Sequence, residues 1–147
     1  MNFVRSRMAP RLDCSLGYAD QMNALTHWID GSNIYGSNKE TANDLRLFDQ
    51  GLLSFSQLED RRMLLPLKSR SPRDEIDYKA GDGRVNEMQG LMIVHLIWFR
   101  EHNRLALALA RINPFWNDEQ LYQEARRILI AQYQHVIYNE WLPVIVG

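Results

Sequence analysis

From about Asn86 to Ile112 the apolar positions recur at helical spacing. Met88, Leu91, Met92, His95, Trp98, Phe99, His102, Leu105, Ala106 and Leu109 fall on one face at i, i+3, i+4 and i+7. Ile93, Val94 and Ile97 make the first half of this element apolar nearly all round, which predicts burial on more than one side. After the loop NPFWND, a further helix is predicted from about Asp118 to Glu140. Its inner face carries Leu121, Ala125, Ile128, Leu129, Gln132 and Val136, and Pro143 is expected to bound it. Nearer the N-terminus, Met22, Leu25, Trp28 and Ile29 give residues 21–29 helical spacing. Ser37 followed by Glu40 is a capping-box pattern that opens a short helix from about Asn38 to Phe48, ended by Gly51. Residues 1–20 read as irregular, 30–38 as turns, and 52–79 as a long surface excursion with little regular structure. The predicted class is all-α.

Composition narrows the function classes. The 147 residues are 46% hydrophobic and 24% charged, as in an ordinary globular domain with a moderate core. Seventeen basic residues against eighteen acidic ones leave a net charge of −1, so no cationic surplus points to nucleic acid or anionic lipid. The longest uncharged apolar run, Met88 to Phe99, is too short to span a bilayer. No apolar segment of signal-peptide type opens the sequence, which begins MNFVRSRMAPR. Cys14 is the lone cysteine, a pattern that by itself suggests a reducing compartment or a buried thiol.

Four clusters carry candidate chemistry: THWIDGS (26–32), AGDGRVNE (80–87), REHNRLA (100–106) and LYQEARRI (121–128). Each also has a plain structural reading. Asp30 is placed to start an Asx-turn. Asp82 or Asn86 is placed to cap a helix whose dipole Glu87 would complement, leaving Arg84 a solvated loop residue. Met88 reads as core packing. Arg100 to Arg104 form a polar band inside a buried helix and are expected to be mutually hydrogen-bonded. His95 and His102, seven apart on one face, read as packed structural histidines, and His27 as a neighbour of the 26–32 turn. Tyr122 and Arg126 read as helix-packing and surface ion-pair residues.

Taken together and in this order, the four clusters resemble those of the animal haem peroxidase superfamily, over essentially the whole chain. The resemblance implies a mainly helical haem-peroxidase fold, with residues 1–147 as the central part of a single peroxidase domain, incomplete at both ends. It implies that THWIDGS is a calcium loop, in which Thr26, Asp30 and Ser32 supply side-chain oxygens and Trp28 a carbonyl to one Ca²⁺. Calcium takes six to eight hard oxygens, and alternate residues of an extended segment can aim theirs one way. By the same resemblance Arg84 is the catalytic arginine over haem b. There an always-protonated guanidinium can hydrogen-bond peroxide and stabilise the charge that develops as the O–O bond breaks. Glu87 matches the carboxylate that forms an ester with a haem methyl, and Met88 stands where one branch of the family attaches a haem vinyl through sulfur.

The family's distal and axial histidines are expected to lie outside this segment, together with one further calcium carboxylate. On that reading Met1 is an internal start, Cys14 is half of a structural disulfide in a secreted protein, and the lone-cysteine inference no longer holds. The implied function is haem-dependent oxidation of a halide, a phenol or a protein tyrosine by H₂O₂. The piece alone is expected to lack turnover. Two alternatives remain open at this point. One is the fatty-acid dioxygenase branch, which shares an REHNR-like helix but lacks the ester-forming glutamate. The other is a non-catalytic extracellular adhesion or matrix protein that keeps the fold.

Overall fold

A computed structural model describes residues 7–11, 17–58, 62–68 and 76–147; Cys14 lies outside the described residues. The chain is mainly helical. In order come α1 (Ser32–Tyr35), α2 (Lys39–Asp44), two-residue antiparallel strands β1 (Ser56–Gln57) and β2 (Met63–Leu64), a 3₁₀ turn (Gly83–Asn86), α3 (Gln89–Ile112), α4 (Asp118–His135), a π-helical stretch (Val136–Trp141) and α5 (Leu142–Val146). Among the described residues no helix is long and apolar enough to cross a membrane.

The two long helices pack on each other and supply six of the thirteen buried apolar residues of the core cluster. Phe99, Leu105 and Ala106 of α3 and Tyr122, Ala125 and Leu129 of α4 are buried in one cluster with Ile34 and Tyr35 of α1, and with Leu45, Leu52, Leu53, Leu65 and Val85. Burial of this apolar surface is the main favourable term in folding. The first half of the 52–79 segment is therefore core wall rather than surface excursion, although its regular structure is as sparse as its sequence suggests. α4 opens with a complete capping box: Asn117 accepts from Gln120 N, and the Gln120 side chain accepts from Asn117 N. Arg46 ties the loop before it to this helix start. Its guanidinium pairs with Asp118 at 2.7 Å and with Glu119 at 2.5 Å, and lies 3.9 Å from the centre of the Tyr122 ring.

The polar band of α3 is not a mutual network. Consecutive helical residues point about 100° apart, so each reaches a different neighbour. Only Glu101 and Arg104 pair with each other, at 2.7 Å. Arg100 donates to the carbonyl of Met63. Asn103 clasps Leu53, accepting its N–H at 2.9 Å and donating to its carbonyl at 3.2 Å. His102 Nε2 lies 2.9 Å from the Gly51 carbonyl and must carry the hydrogen there. Nδ1 then accepts from the Tyr35 hydroxyl at 2.8 Å, which fixes the tautomer. Both histidines of this face are packed structural residues, as their positions suggest.

Several elements depart from the pattern. Residues 21–29 are not helical, because the apolar side chains Met22, Leu25 and Trp28 have no surface to pack on and stay exposed. The short helix ends at Asp44 and is capped by Asn38, which accepts from Thr41 N, rather than by a Ser37–Glu40 box. After it, Phe48, Gln50 and Gly51 all take positive φ in a tight turn, and an added Cβ at Gly51 would lie 2.6 Å from Tyr122 N. Met88 is a solvent-exposed N-cap rather than core, and Ile93, Val94 and Ile97 form an open apolar stripe. No element among the described residues covers it. Pro143 sits inside α5 instead of bounding α4: the change to π-type bonding just upstream lets the chain stay helical past a residue without an N–H. Arg126 lies over the Tyr35 ring, 5.2 Å from its centre, while the ion pair of that segment is Glu124 with Arg127.

His102 makes stability depend on pH. Burial, first of all, holds its pKa down to about 4, with the Arg46 and Arg126 charges pushing the same way. A group that resists protonation when folded contributes fully above its unfolded pKa of about 6.5, and that contribution is lost as the pH falls toward 4. Between pH 7 and pH 4 the loss from this residue should be about 3 kcal/mol. Urea unfolding of the protein and of His102→Gln at both pH values checks this. The variant should lack that part of the pH slope, and identical slopes would contradict it.

Candidate functional site

Three polar side chains converge before α1. Thr26 Oγ1 lies 3.0 Å from Asp30 Oδ1 and 2.9 Å from Ser32 Oγ, and Asp30 Oδ1 also accepts the Ser32 N–H at 3.0 Å. Gly31, at φ 69°, turns the chain between them. The Asx-turn read at Asp30 is thus present, and the same turn gathers the three oxygens. Trp28 projects outward, 70% exposed, beside His27. The donor set is hard and oxygen-only, which suits Ca²⁺, and it fills part of a coordination sphere of six to eight. No group of three or more His, Cys, Asp or Glu side chains suited to a metal occurs among the described residues.

The 80–87 segment is fastened against the back of α1. Gly81 allows the approach: a Cβ there would lie 2.3 Å from both Gly36 N and Ser32 O. Asp82 N–H donates to the Asn33 carbonyl at 3.1 Å, and Val85 is fully buried. Of the two capping candidates, Asp82 caps the 3₁₀ turn by accepting from Arg84 N, while Asn86 binds both backbone polar groups of Tyr78. Arg84 is solvated, as the plain reading expects, but it is not unpaired. Its side chain is 64% exposed, yet Nη2 is 2.7 Å from Asp82 Oδ2. Hydrogen bonds from Arg84 hold the Asp82 carboxyl below the usual range, and the same pair raises the arginine.

These two segments and α3 wall a common concavity of about 380 Å³. Asp30, Ser32, Arg84, Glu87 and Trp28 all border it, so the structure brings together five of the seven residues singled out in the sequence. Thr26 lies behind them on an adjoining hollow, and Met88 is not on this wall. Leu91, Ile29 and Ile137 give the concavity an apolar side. Two further residues stand at its back: Asp82, a cap by its spacing, and His95, a packed residue by its place on the α3 face. His95 is 3% exposed, and its Nδ1–H is 2.8 Å from the Leu91 carbonyl. Its Nε2 is buried with no hydrogen-bond partner among the described residues. Such a buried lone pair is costly unless a donor reaches it. The signal for Asp82 was its spacing of two from an arginine, which is as common in plain turns.

The family model for animal haem peroxidases matches residues 1–147. The chain belongs to the animal haem peroxidase family. It is 48% identical to the chorion peroxidase of Aedes aegypti over 150 residues, covering 100% of this chain and 19% of that protein. It is 44% identical to the chorion peroxidase of Drosophila melanogaster, again covering 19% of it. Identity to the human peroxidasin homolog is 39%, covering 11% of that chain. This animal haem peroxidase segment thus spans about a fifth or less of the length of these curated relatives. Among solved structures it is similar to peroxidase A of Dictyostelium discoideum, with TM-score 0.79 and 31% identity, covering 95% of this chain and 30% of that one. It is also similar to the fatty acid alpha-dioxygenase of Oryza sativa, with TM-score 0.68 and 28% identity, covering 92% of this chain and 20% of the other.

Proposed function

We propose that residues 1–147 are the central part of one haem peroxidase domain, and that the full-length protein uses H₂O₂ to oxidise a small donor: a halide, a phenol or a protein tyrosine. The observation that carries this reading is the shared wall. Within a chain that matches the family along its whole length, Arg84 and Glu87 border one concavity with an apolar side. Those features fit haem, a flat apolar ring with charged edges. The exposed stripe of Ile93, Val94 and Ile97 is then surface that the rest of the domain covers. Haem, when bound, supplies the redox chemistry of peroxide cleavage and donor oxidation.

The residues of this chain do the rest. Arg84 stays cationic at every working pH, donates hydrogen bonds to peroxide and stabilises the negative charge that grows on the leaving oxygen. Glu87, exposed at the turn before α3, is the carboxylate that would hold the ring through an ester to a haem methyl, with H₂O₂ as the two-electron oxidant for replacing the methyl C–H by C–O. Met88 stands next to it, 63% exposed, as a second candidate for a covalent tie. Thr26, Asp30 and Ser32 side chains with the Trp28 carbonyl bind Ca²⁺, completed by ligands beyond this segment. The distal and axial histidines also lie beyond it, so the segment given haem alone has no turnover. The protein is secreted on this reading.

The dioxygenase likeness supports the shared fold, while the complete AGDGRVNE stretch, glutamate included, favours the peroxidase branch. A non-catalytic adhesion role would leave Arg84 and Glu87 without work.

Arg84→Gln in the haem-loaded full-length protein should lower kcat/KM for peroxide by about 100- to 1,000-fold, the usual cost of removing one preorganised donor. Steady-state oxidation of a phenolic dye measures it, and wild-type turnover would sink the role given to Arg84. For the cation loop, Asp30→Ala should abolish Ca²⁺ uptake by calorimetry on the chelator-treated full-length protein. Unchanged uptake would place the site elsewhere.

A further inference from the structure

Asp82 is the least exposed carboxylate at the concavity, at 8%. Its two oxygens make four contacts, all with Arg84. Oδ1 accepts the backbone N–H at 2.9 Å and Nε–H at 3.1 Å, while Oδ2 accepts from Nε at 3.2 Å and from Nη2 at 2.7 Å. This is a side-on fork. It uses the Nε–Nη2 edge of the guanidinium and leaves the two hydrogens on Nη1 and the second one on Nη2.

The carboxylate has little freedom of its own. Its residue donates its N–H to Asn33 in α1, follows a glycine pressed against Ser32 O and Gly36 N, and begins a turn whose Val85 is fully buried. A long, otherwise exposed side chain is thereby held along one edge by an anchored group. Part of the conformational freedom that Arg84 would lose on meeting a ligand is lost beforehand.

We propose that Asp82 is the positioning residue of this site: by gripping the Nε–Nη2 edge of Arg84, it holds the Nη1 edge toward the concavity, where peroxide would bind. The proposal rests on the reading of Arg84 as the peroxide-binding cation. Asp82 itself touches neither substrate nor cofactor; it acts through Arg84.

The test uses the haem-loaded full-length protein with Asp82→Asn, Arg84→Gln and the double variant. Asparagine keeps an oxygen for the Arg84 N–H and is a good cap, so the turn survives. Its amide nitrogen then faces the guanidinium donors and the fork opens. Asp82→Asn should lower kcat/KM for peroxide by about 10- to 100-fold, the scale of a misplaced catalytic group, and should cause no further loss in the Arg84→Gln background. Asp82→Glu, which keeps the charge but moves it by one methylene, should fall between.

A second readout needs no turnover. Phenylglyoxal labelling of Arg84 in the same proteins, followed by peptide mass spectrometry with exposed Arg111 as internal reference, should rise severalfold in Asp82→Asn. If Arg84→Gln loses turnover while Asp82→Asn keeps both its turnover and its labelling rate, the positioning role is overturned and that of Arg84 stands. A full Asp82→Asn loss in the Arg84→Gln background also overturns positioning. Wild-type turnover in Arg84→Gln overturns both.

Discussion

Two neighbouring polar residues buried in α3 set the frame of this molecule. His102 and Asn103 are enclosed by core, and each spends its hydrogen-bonding capacity on a segment distant in sequence. Asn103 holds the backbone of Leu53, His102 holds the carbonyl of Gly51, and the Tyr35 hydroxyl closes the set from α1. Each such bond contributes about 1 kcal/mol net, but an orphaned buried partner costs about 1–3 kcal/mol, so the arrangement tolerates no partial version. Because Tyr35 is part of it, α1 is fixed relative to α3. The 26–32 turn enters α1 from one side, and Gly81 and Asp82 rest on it from the other. The candidate site is thus assembled around a four-residue helix too short to be stable alone.

Much of this was legible in the sequence where periodicity was long. α3 and α4 follow from their apolar faces, and the spacing selects most of their buried residues, though it misses Asn103 and Tyr122 and includes the exposed Met88. Short elements were legible only in part: the helix after Asn38 is present but ends at Asp44, and the 21–29 helix is not formed. Residues 21–29 carry helical spacing by composition, but their side chains meet no partner surface, and the loop instead uses Thr26, Asp30 and Ser32 for its own turn. Pro143 misleads because a proline argues against continued α-type bonding and says nothing of a π-type interruption. The REHNR band misleads in another way: adjacent polar letters suggest one network, whereas helical geometry sends them to separate neighbours.

The candidate site shows the same division. AGDGRVNE identifies Arg84 and Glu87 through resemblance, and the concavity puts them on one wall with Asp30 and Ser32. Spacing alone could not show that Asp82 would turn back on Arg84, since that depends on the 3₁₀ turn and on α1 beneath it. The open side of α3 has a similar cause. A helix apolar nearly all round asks for cover on several sides, and this segment, about a fifth of the length of the chorion peroxidases it resembles, leaves the Ile93, Val94 and Ile97 side open. The local charges, by contrast, are settled within the segment: Arg84 is balanced by Asp82 and close enough to Glu87 to feel its charge.

The central claim is that the turn before α3 faces haem. Trypsin cleaves after Arg84 and Arg100, which isolates a peptide from Val85 to Arg100 containing Glu87 and Met88. Mass spectrometry of that peptide from the peroxide-treated, haem-loaded full-length protein tests the claim most directly. The account predicts an ester-linked haem adduct on this peptide, and that ester is absent in Glu87→Gln. An unmodified peptide, with all haem released by acid-acetone extraction, would contradict it.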